Sequence, residues 1–414
     1  MRSSAGPERS TTWLGGVAVF TIVLTPFVAY LAPNGFAPLL TLAGLLCLPA
    51  LARSRPGSPP MMALFVLVMW ALISLVWSPA APHVADLKKY EDLEGVTALK
   101  LLFQLAFYGS AVAALGQLSE RSKARAGTVM VVCVLALALL VALDGISAAA
   151  FYRWLRVLIH DPERPDLAIV KVSMPTYALA LLFWPAARIM SSRGWTPAVF
   201  VLLAATVIAA FSTSADASWT ALTLGAFAWL SVRYLGKPAA RVLVAAVAAP
   251  FVLGPVLLLW GVHSGFVAWL HRHVPRSWDM RLDIWAFTAN QVQQHAIRGW
   301  GIDASRTFGP AIPLHTHNAA MQLWLELGAV GAAIGGVFFS WVAYRIVAVT
   351  GASRRDGAMA AGALITYVVI GGVSFGVWQE WWLALGALAV IGCGFALGLK
   401  SPTPSRQGEF SRSR

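Results

Sequence analysis

Long apolar stretches separated by short polar breaks recur along the whole chain. A helix needs about 20 apolar residues to cross the hydrocarbon core of a bilayer. Twelve stretches approach this length, so we expect an all-α polytopic membrane protein with about twelve transmembrane helices. The predicted spans cover residues 13–32, 36–52, 61–78, 97–117, 126–147, 167–190, 196–212, 217–235, 239–262, 318–348, 357–376 and 380–399.

The composition supports a membrane protein and excludes several other classes. Hydrophobic residues make up 58% of the chain and charged residues only 12%, whereas charged residues make up about 25% of a typical soluble domain. An ordinary soluble enzyme, a disordered chain and a disulfide-stabilised secreted module are therefore excluded. The cysteines, Cys47, Cys133 and Cys393, lie far apart in apolar stretches, so each is expected to pack as a small buried apolar residue.

The net charge of +13 is explained by membrane topology rather than by nucleic-acid binding. Most of the basic residues lie at the two termini or in the alternate short loops that an even number of spans places on the same side. Lys and Arg concentrate in cytoplasmic loops. We therefore predict that both termini are cytoplasmic and that the opposite face is periplasmic.

Three long loops fall on the predicted outer face, and the longest lies between the ninth and tenth spans. The cytoplasmic loops are short and contain no P-loop or Gly-rich nucleotide loop, which disfavours an ATP-driven machine. The outer loops cover residues 79–96, 148–166 and 263–317. The predicted organisation is 1–262, membrane helices 1–9; 263–317, a periplasmic helical loop region; 318–399, membrane helices 10–12; and 400–414, a cytoplasmic basic tail.

All eight histidines fall in the outer loops. One explanation is that histidine is excluded from lipid and from short cytoplasmic loops. The run His315-Thr316-His317-Asn318 suggests a site instead, because it opens a long apolar helix whose positive dipole end attracts anions. A histidine there can accept a proton from a hydroxyl group. No HExxH motif occurs and no cysteine lies nearby, so we expect chemistry without a metal or other cofactor.

Basic residues also gather on the outer face, against the topological trend. They can neutralise nearby acids, and Lys171 can reach the interface from its span. The alternative is an anionic ligand such as a lipid-linked diphosphate, which Arg side chains bind through paired hydrogen bonds. The candidates are Arg153, Arg156, Lys171, Arg276 and Arg281.

A helix is predicted to begin near Arg281 and to lie on the bilayer surface. Its apolar positions recur at roughly helical spacing. They are Leu282, Trp285, Ala289, Val292 and Ile297.

These residues resemble the O-antigen ligase superfamily, which includes O-antigen ligases, O-antigen polymerases and pilin oligosaccharyltransferases. The ligase signature is His followed by Asn, Ser or Gln, nine residues, Gly, two residues and a small residue or Tyr. His317-Asn318, Gly328 and Gly331 match it throughout, and Arg281 with the turn Gly299-Trp300-Gly301 resembles the family's preceding segment. One departure is Asp216, which stands where the family often has an arginine that binds phosphate.

The resemblance implies a GT-C-like fold and a metal-independent glycosyltransferase in the Gram-negative inner membrane. It would transfer a polysaccharide from undecaprenyl diphosphate to lipid A–core at the periplasmic face, with membrane lipids as surroundings and no role for nucleic acid. His317 would be the general base and Arg281 the second catalytic residue. The implied substrate-binding residues are His315, Asn318, Arg276, Arg153, Arg156 and Lys171.

Two related activities and one different class remain as alternatives. A polymerase of the same superfamily would use a second lipid-linked glycan as its acceptor. A pilin oligosaccharyltransferase usually carries an additional soluble C-terminal portion, which the short basic tail does not supply. A transporter or flippase of lipid-linked glycans should place charges near the middle of its spans, whereas the polar features here gather at one face.

Overall fold

A computed structural model describes residues 6–51, 59–82, 96–275 and 278–399. Within these ranges the chain is all-α and contains no β-strand. Every predicted span coincides with a helix, and the sixth span is formed by two consecutive helices that meet at Met174. Arg276 lies outside the described residues.

The helices are numbered in chain order. Those that match the predicted spans are α1 (Gly6–Leu31), α2 (Phe36–Leu51), α3 (Pro59–Ser74), α4 (Thr97–Leu115), α5 (Glu120–Ile146), α7 (Pro165–Ser173) with α8 (Pro175–Ser192), α9 (Thr196–Ser212), α10 (Asp216–Leu235), α11 (Lys237–His263), α14 (Ala319–Ala352), α15 (Arg354–Val373) and α16 (Glu380–Ala396). The remaining helices are α6 (Ala150–Leu158), α12 (Phe266–His271) and α13 (Asp279–Gln294).

Eight helical segments are long and apolar enough to cross a membrane. Three shorter helices, α3, α9 and α16, are also apolar, and α10 has 20 residues. The protein is therefore an all-α, multi-pass membrane protein. The number of twelve crossings stays a prediction.

Contacts between helix ends divide these ends into two groups. At the predicted outer ends, hydrogen bonds join Tyr30 to Asp144, Lys100 to Glu380 and Ser78 to Ile302. At the predicted cytoplasmic ends, they join Arg188 to Asp356, Arg193 to Thr128 and Arg354 to Tyr234. Each contact thus joins ends that the charge pattern predicts on one side of the membrane; which side is cytoplasmic stays a prediction.

Helix α14 is interrupted at Gly328, whose φ of 65° and ψ of −163° are not helical. Such a break leaves backbone carbonyl and amide groups without their helical partners, which is costly away from water. The segment 296–301 supplies those partners. The amide groups of Trp300 and Gly301 donate to the carbonyls of Leu325 (2.9 Å) and Glu326 (2.7 Å).

The pairing continues on the other side of the break. The amide of Ala329 donates to the carbonyl of Ala296 at 2.8 Å. The indole Nε1 of Trp70, on α3, donates to the carbonyl of Leu327 at 3.1 Å. A segment of the long outer loop is therefore hydrogen-bonded along the interrupted part of α14.

Glycine is required on both sides of this pairing. A Cβ atom at Gly328 would lie 2.2 Å from the carbonyl oxygen of Ile297, and one at Gly299 would lie 2.4 Å from the backbone of Glu326. Both residues also have positive φ values, which L-residues with a Cβ adopt at a cost. Gly328 of the sequence motif and Gly299 of the upstream turn thus lie on the two backbone segments that pair with each other.

A tryptophan also compensates for a proline in the neighbouring helix. Pro255, inside α11, has no N–H group, so it cannot donate to the carbonyl of Phe251 four residues earlier. The indole Nε1 of Trp324 donates to that carbonyl at 2.9 Å. This bond joins α11 to α14, where Gly335 also packs against the Phe251 ring.

Helix α13 is amphipathic as predicted, but protein rather than the bilayer surface covers its apolar face. Ile284, Ala289 and Val292 are buried in a cluster with Met321 and Leu325 of α14. The prediction for Ile297 is wrong, because this residue lies beyond the end of the helix and is 75% exposed. Periodicity identifies a face that is buried but not the surface that covers it.

We predict that Gly328→Ala destabilises the protein by about 2 kcal/mol or more, from the strained backbone and the clash with the loop. Gly16→Ala is the control, because a Cβ atom there meets no atom within 4 Å. Thermal unfolding of the two purified variants in detergent tests this expectation. Equal melting temperatures would show that the pairing at Gly328 does not support the fold.

Candidate active site at the outer end of the helices

The polar run 315–318 forms a turn that ends at the start of α14. Asn318 is the N-cap residue, and its side-chain oxygen accepts a hydrogen bond from the amide of Met321 at 3.0 Å. His317 directly before it has a φ of 51°, in the left-handed region that non-glycine residues rarely adopt. Such strain is concentrated at functional sites, and here it turns the His317 side chain toward the end of α15.

The hydrogen bond of His317 defines its protonation. Nδ1 of His317 lies 2.9 Å from the backbone carbonyl oxygen of Ser374. A carbonyl oxygen can only accept, so Nδ1 carries the proton and Nε2 of the neutral ring has a free lone pair. Burial lowers the pKa of His317; the Ser374 bond opposes this shift, and the positive charge of Arg281 adds to it. The lowered pKa favours the neutral form of His317, which can accept a proton.

His315 supports His317 from the opposite side. The amide of His317 donates to Nδ1 of His315 at 3.0 Å, and the two ring centroids are 4.2 Å apart. Nε2 of His315 lies 2.9 Å from the side-chain amide of Gln379. Burial lowers the pKa of His315 to about 3, with smaller contributions from His317 and Arg306. His315 thus stays uncharged and holds the turn in place.

Arg281 is brought to the histidines by the packing of α13. The indole Nε1 of Trp285, one helical turn after Arg281, donates to the carbonyl of Thr316 at 3.0 Å. Thr316 is fully buried, so this bond fixes α13 against the turn. The guanidinium of Arg281 lies 5.6 Å from the centroid of the Trp278 ring, and its charge acts on His317.

A buried carboxylate lies beneath the turn, and the sequence reasoning did not select it. The side chain of Glu326 on α14 is fully buried. It accepts hydrogen bonds from the Gln322 amide (2.9 Å), the Trp378 indole (2.6 Å) and the backbone amide of Asp303 (3.0 Å). An acidic residue inside an apolar span is a recognisable signal. These bonds join α14, the segment before α16 and the long loop.

The contacts of the other predicted residues lie around the middle outer loop. Arg156 on α6 forms ion pairs with Asp161 and Glu163, and Lys171 on α7 is exposed. Arg153 is also on α6, whose first turn is held by buried Asp144 through hydrogen bonds to backbone amides. The described contacts therefore bring together His315, His317, Asn318 and Arg281, and they hold Arg153 and Arg156 at a separate loop.

Asp216 begins α10, close to this group. The hydroxyl of Tyr177 on α8 interacts electrostatically with both Arg281 and Asp216. The hydroxyls of Thr176 and Ser218 are 2.8 Å apart and join α8 to α10. Tyr177 is thus close enough to both Arg281 and Asp216 for the two charges to act on its hydroxyl.

The histidines of the long loop are not gathered into one cluster. His271 lies 3.4 Å from carboxylate oxygens of Asp279 and Asp283 on α13. In the part of the chain that the structure describes, no three His, Cys, Asp or Glu residues form a group able to hold a metal ion. Metal independence stays a prediction.

The fold and the site together define a multi-pass membrane protein with a neutral histidine beside an arginine at one end of its helices. The family model for the O-antigen ligase domain matches residues 198–335, which include Arg281 and the complete motif from His317 to Gly331. This part of the chain is thus similar to the O-antigen ligase domain.

Similar proteins from Rickettsia species carry the name "Putative polysaccharide ligase". The Rickettsia conorii protein is 28% identical over 127 residues, which are 27% of this chain and 30% of the relative. The Rickettsia typhi protein is 23% identical over 224 residues, or 50% of this chain and 54% of the relative. The Rickettsia bellii protein is 33% identical over 121 residues, or 25% of this chain and 28% of the relative. The chain thus spans about half or less of the length of these relatives.

We predict that Asn318→Ala lowers the stability of the protein by about 1 kcal/mol, because α14 loses its N-cap. Asn318→Asp is the matched control, since a carboxylate oxygen can accept the same bond from the amide of Met321. Thermal unfolding of both variants measures the difference. Indistinguishable melting temperatures for the two variants would contradict the capping role.

Proposed function

We propose that the protein is a glycosyltransferase that ligates O-antigen polysaccharide from undecaprenyl diphosphate to a sugar hydroxyl of lipid A–core. The observation that carries this proposal is the neutral His317, whose Nε2 is free to accept a proton beside the cation Arg281. The similarity to the O-antigen ligase domain and the polysaccharide ligases among the relatives support it. The charge pattern favours the inner membrane, a periplasmic site and cytoplasmic termini.

The proposed reaction is a single displacement at the anomeric carbon. Nε2 of His317 accepts the proton of the acceptor hydroxyl as its oxygen attacks that carbon. The bond from the anomeric carbon to the diphosphate oxygen breaks, and its electron pair leaves with undecaprenyl diphosphate. Arg281 stabilises the charge that develops on this leaving group. The sugar configuration is inverted, and the proton on His317 then passes to solvent.

The remaining residues have supporting roles in this proposal. His315 is a positioning residue, because it accepts a hydrogen bond from the backbone of His317. Asn318 orients the turn through its cap, and we also propose that it contacts substrate. Arg153, Arg156, Lys171 and Arg276 remain proposed contacts to the anionic donor. The reaction needs no metal or nucleotide, and the GT-C-like class of the fold belongs to the same proposal.

We predict that His317→Ala abolishes ligation in a ligase-deficient Gram-negative strain. Lipopolysaccharide resolved on a gel should lack the O-antigen ladder, because no base accepts the proton of the acceptor. His263→Ala is the control, since His263 is exposed at the end of α11 and should leave the ladder intact. A full ladder from His317→Ala at normal protein level would exclude the catalytic role.

The same strain separates the ligase from its alternatives. A ligase variant should leave long polymer on the lipid carrier, whereas a polymerase variant should leave single repeat units. A purified, reconstituted ligase should also join donor and acceptor glycans. Movement of lipid-linked glycan across vesicles without any joining would instead support a transporter.

We predict that the midpoint of the acid limb in the pH profile of kcat/KM lies below pH 6.5, which is the ordinary pKa of histidine. The base is active when neutral, and a lowered pKa keeps His317 neutral as the pH decreases. Removal of the nearby positive charge in Arg281→Gln should shift this limb to higher pH. An acid limb at or above 6.5 in the unmodified protein would contradict the environment described for His317.

A further inference from the structure

An open cavity of about 390 Å³ lies beside the histidine pair at the same end of the helices. It is lined mainly by residues of α4, of the long outer loop and of the start of α16 with the segment before it, and single residues of α2 and α14 also contribute. His315 belongs to its wall, together with Thr97, Lys100, Gln104, Gln379 and Trp381. The proposed reaction does not assign a role to the α4 residues.

The wall of this cavity contains polar oxygens without protein partners. Oγ1 of Thr97 and Oε1 of Gln104 are buried and make no hydrogen bond within the part of the chain described here. Thr97 is 5% exposed and Gln104 is 7% exposed. The Gln379 amide is already paired, because its oxygen accepts from the protonated Nε2 of His315. Buried polar groups are nearly always hydrogen-bonded, because leaving them unpaired is costly. Two such oxygens on one cavity indicate a ligand that supplies donors.

The charges around the cavity favour a neutral ligand over an anion. Nζ of Lys100 lies 2.6 Å from Glu380, and Nε of Arg306 lies 3.4 Å from Asp303. Each cation is therefore matched by a carboxylate, and Glu380 itself forms part of the wall. A diphosphate would have to compete with these carboxylates for the cations. Hydroxyl groups of a sugar can donate to the free oxygens, and the Trp381 ring offers an apolar surface for the sugar's C–H groups.

The cavity borders one histidine of the pair, His315, and Arg281 is close to the other, His317. His315 faces the cavity and interacts with Arg306, whereas His317 interacts with Arg281. A single displacement requires the attacking hydroxyl and the leaving group on opposite sides of the anomeric carbon. A diphosphate held by Arg281 therefore leaves the His315 side to the acceptor.

We propose that this cavity is the acceptor subsite, which binds a neutral pyranose ring of the acceptor glycan through Thr97 and Gln104. The proposal rests on the glycosyltransferase function proposed above. The ring in the cavity lies next to the sugar whose hydroxyl reacts at His317. Binding there restrains the acceptor before the donor is attacked.

Gln104→Leu and Thr97→Val test the subsite, because each removes the polar atom and keeps the approximate shape. Gln117→Leu is the control, since Gln117 is an exposed residue at the other end of α4. With purified protein, undecaprenyl-diphosphate glycan and rough lipopolysaccharide, the KM for the acceptor should rise about tenfold in each variant, the loss expected for one hydrogen bond to a buried group. The KM for the donor should stay unchanged.

Direct binding provides a second measurement that does not depend on turnover. Deacylated, dephosphorylated core oligosaccharide should bind the unmodified protein and Gln117→Leu, and it should bind both cavity variants about tenfold more weakly. Inorganic pyrophosphate should not compete with it. The melting temperatures of the cavity variants should not fall, because the removed atoms have no protein partners.

Each other outcome has a defined meaning. A raised KM for the donor alone, or competition by pyrophosphate, would overturn the acceptor assignment in favour of a donor site. Unchanged acceptor KM and oligosaccharide binding in both variants would overturn the sugar site while the transferase function stands. No transfer by the unmodified protein would instead overturn the proposed function, and the acceptor role with it.

Discussion

The structure depends on the need to satisfy backbone hydrogen bonds where α14 is interrupted at Gly328. Inside an apolar helical bundle, free carbonyl and amide groups are too costly to leave unpaired. The segment 296–301 pairs with the backbone on both sides of the break, and Trp70 donates to the carbonyl of Leu327. The break and the long loop are thus one structural unit, which fixes the loop over the end of the bundle.

The geometry of the candidate active site follows from that unit. Further hydrogen bonds link the fixed loop to the segment that holds the histidines. The Trp285 indole donates to the carbonyl of Thr316. Glu326 accepts from the amide of Asp303 in the loop and from the indole of Trp378 beside α16. His317 is left with one ring nitrogen held by a carbonyl and the other free. The proposed general base is therefore positioned by backbone hydrogen bonds and burial, and its protonated nitrogen bonds to a backbone carbonyl rather than to a carboxylate.

The sequence predicts the helices well, because twelve apolar stretches leave few other ways to satisfy the backbone in a membrane. It also indicates His317, since a polar run at the start of an apolar helix is unusual, whereas Arg281 is indicated by the basic residues of the outer loops and by the family resemblance. It does not indicate that 296–301 pairs with Gly328, because that contact joins distant residues by backbone groups alone. Glu326 gave a recognisable signal as an acid within an apolar span, but only the structure identifies the donors that hold it.

The most direct test is a cryo-EM structure of the His317→Ala variant with an undecaprenyl-diphosphate-linked glycan. The variant should bind the donor without consuming it, because the proposed role of His317 lies in proton transfer. The account predicts diphosphate oxygens at Arg281 and the anomeric carbon directed toward residue 317. A diphosphate bound at the opposite end of the helices, or within the cavity lined by Gln104, would contradict it.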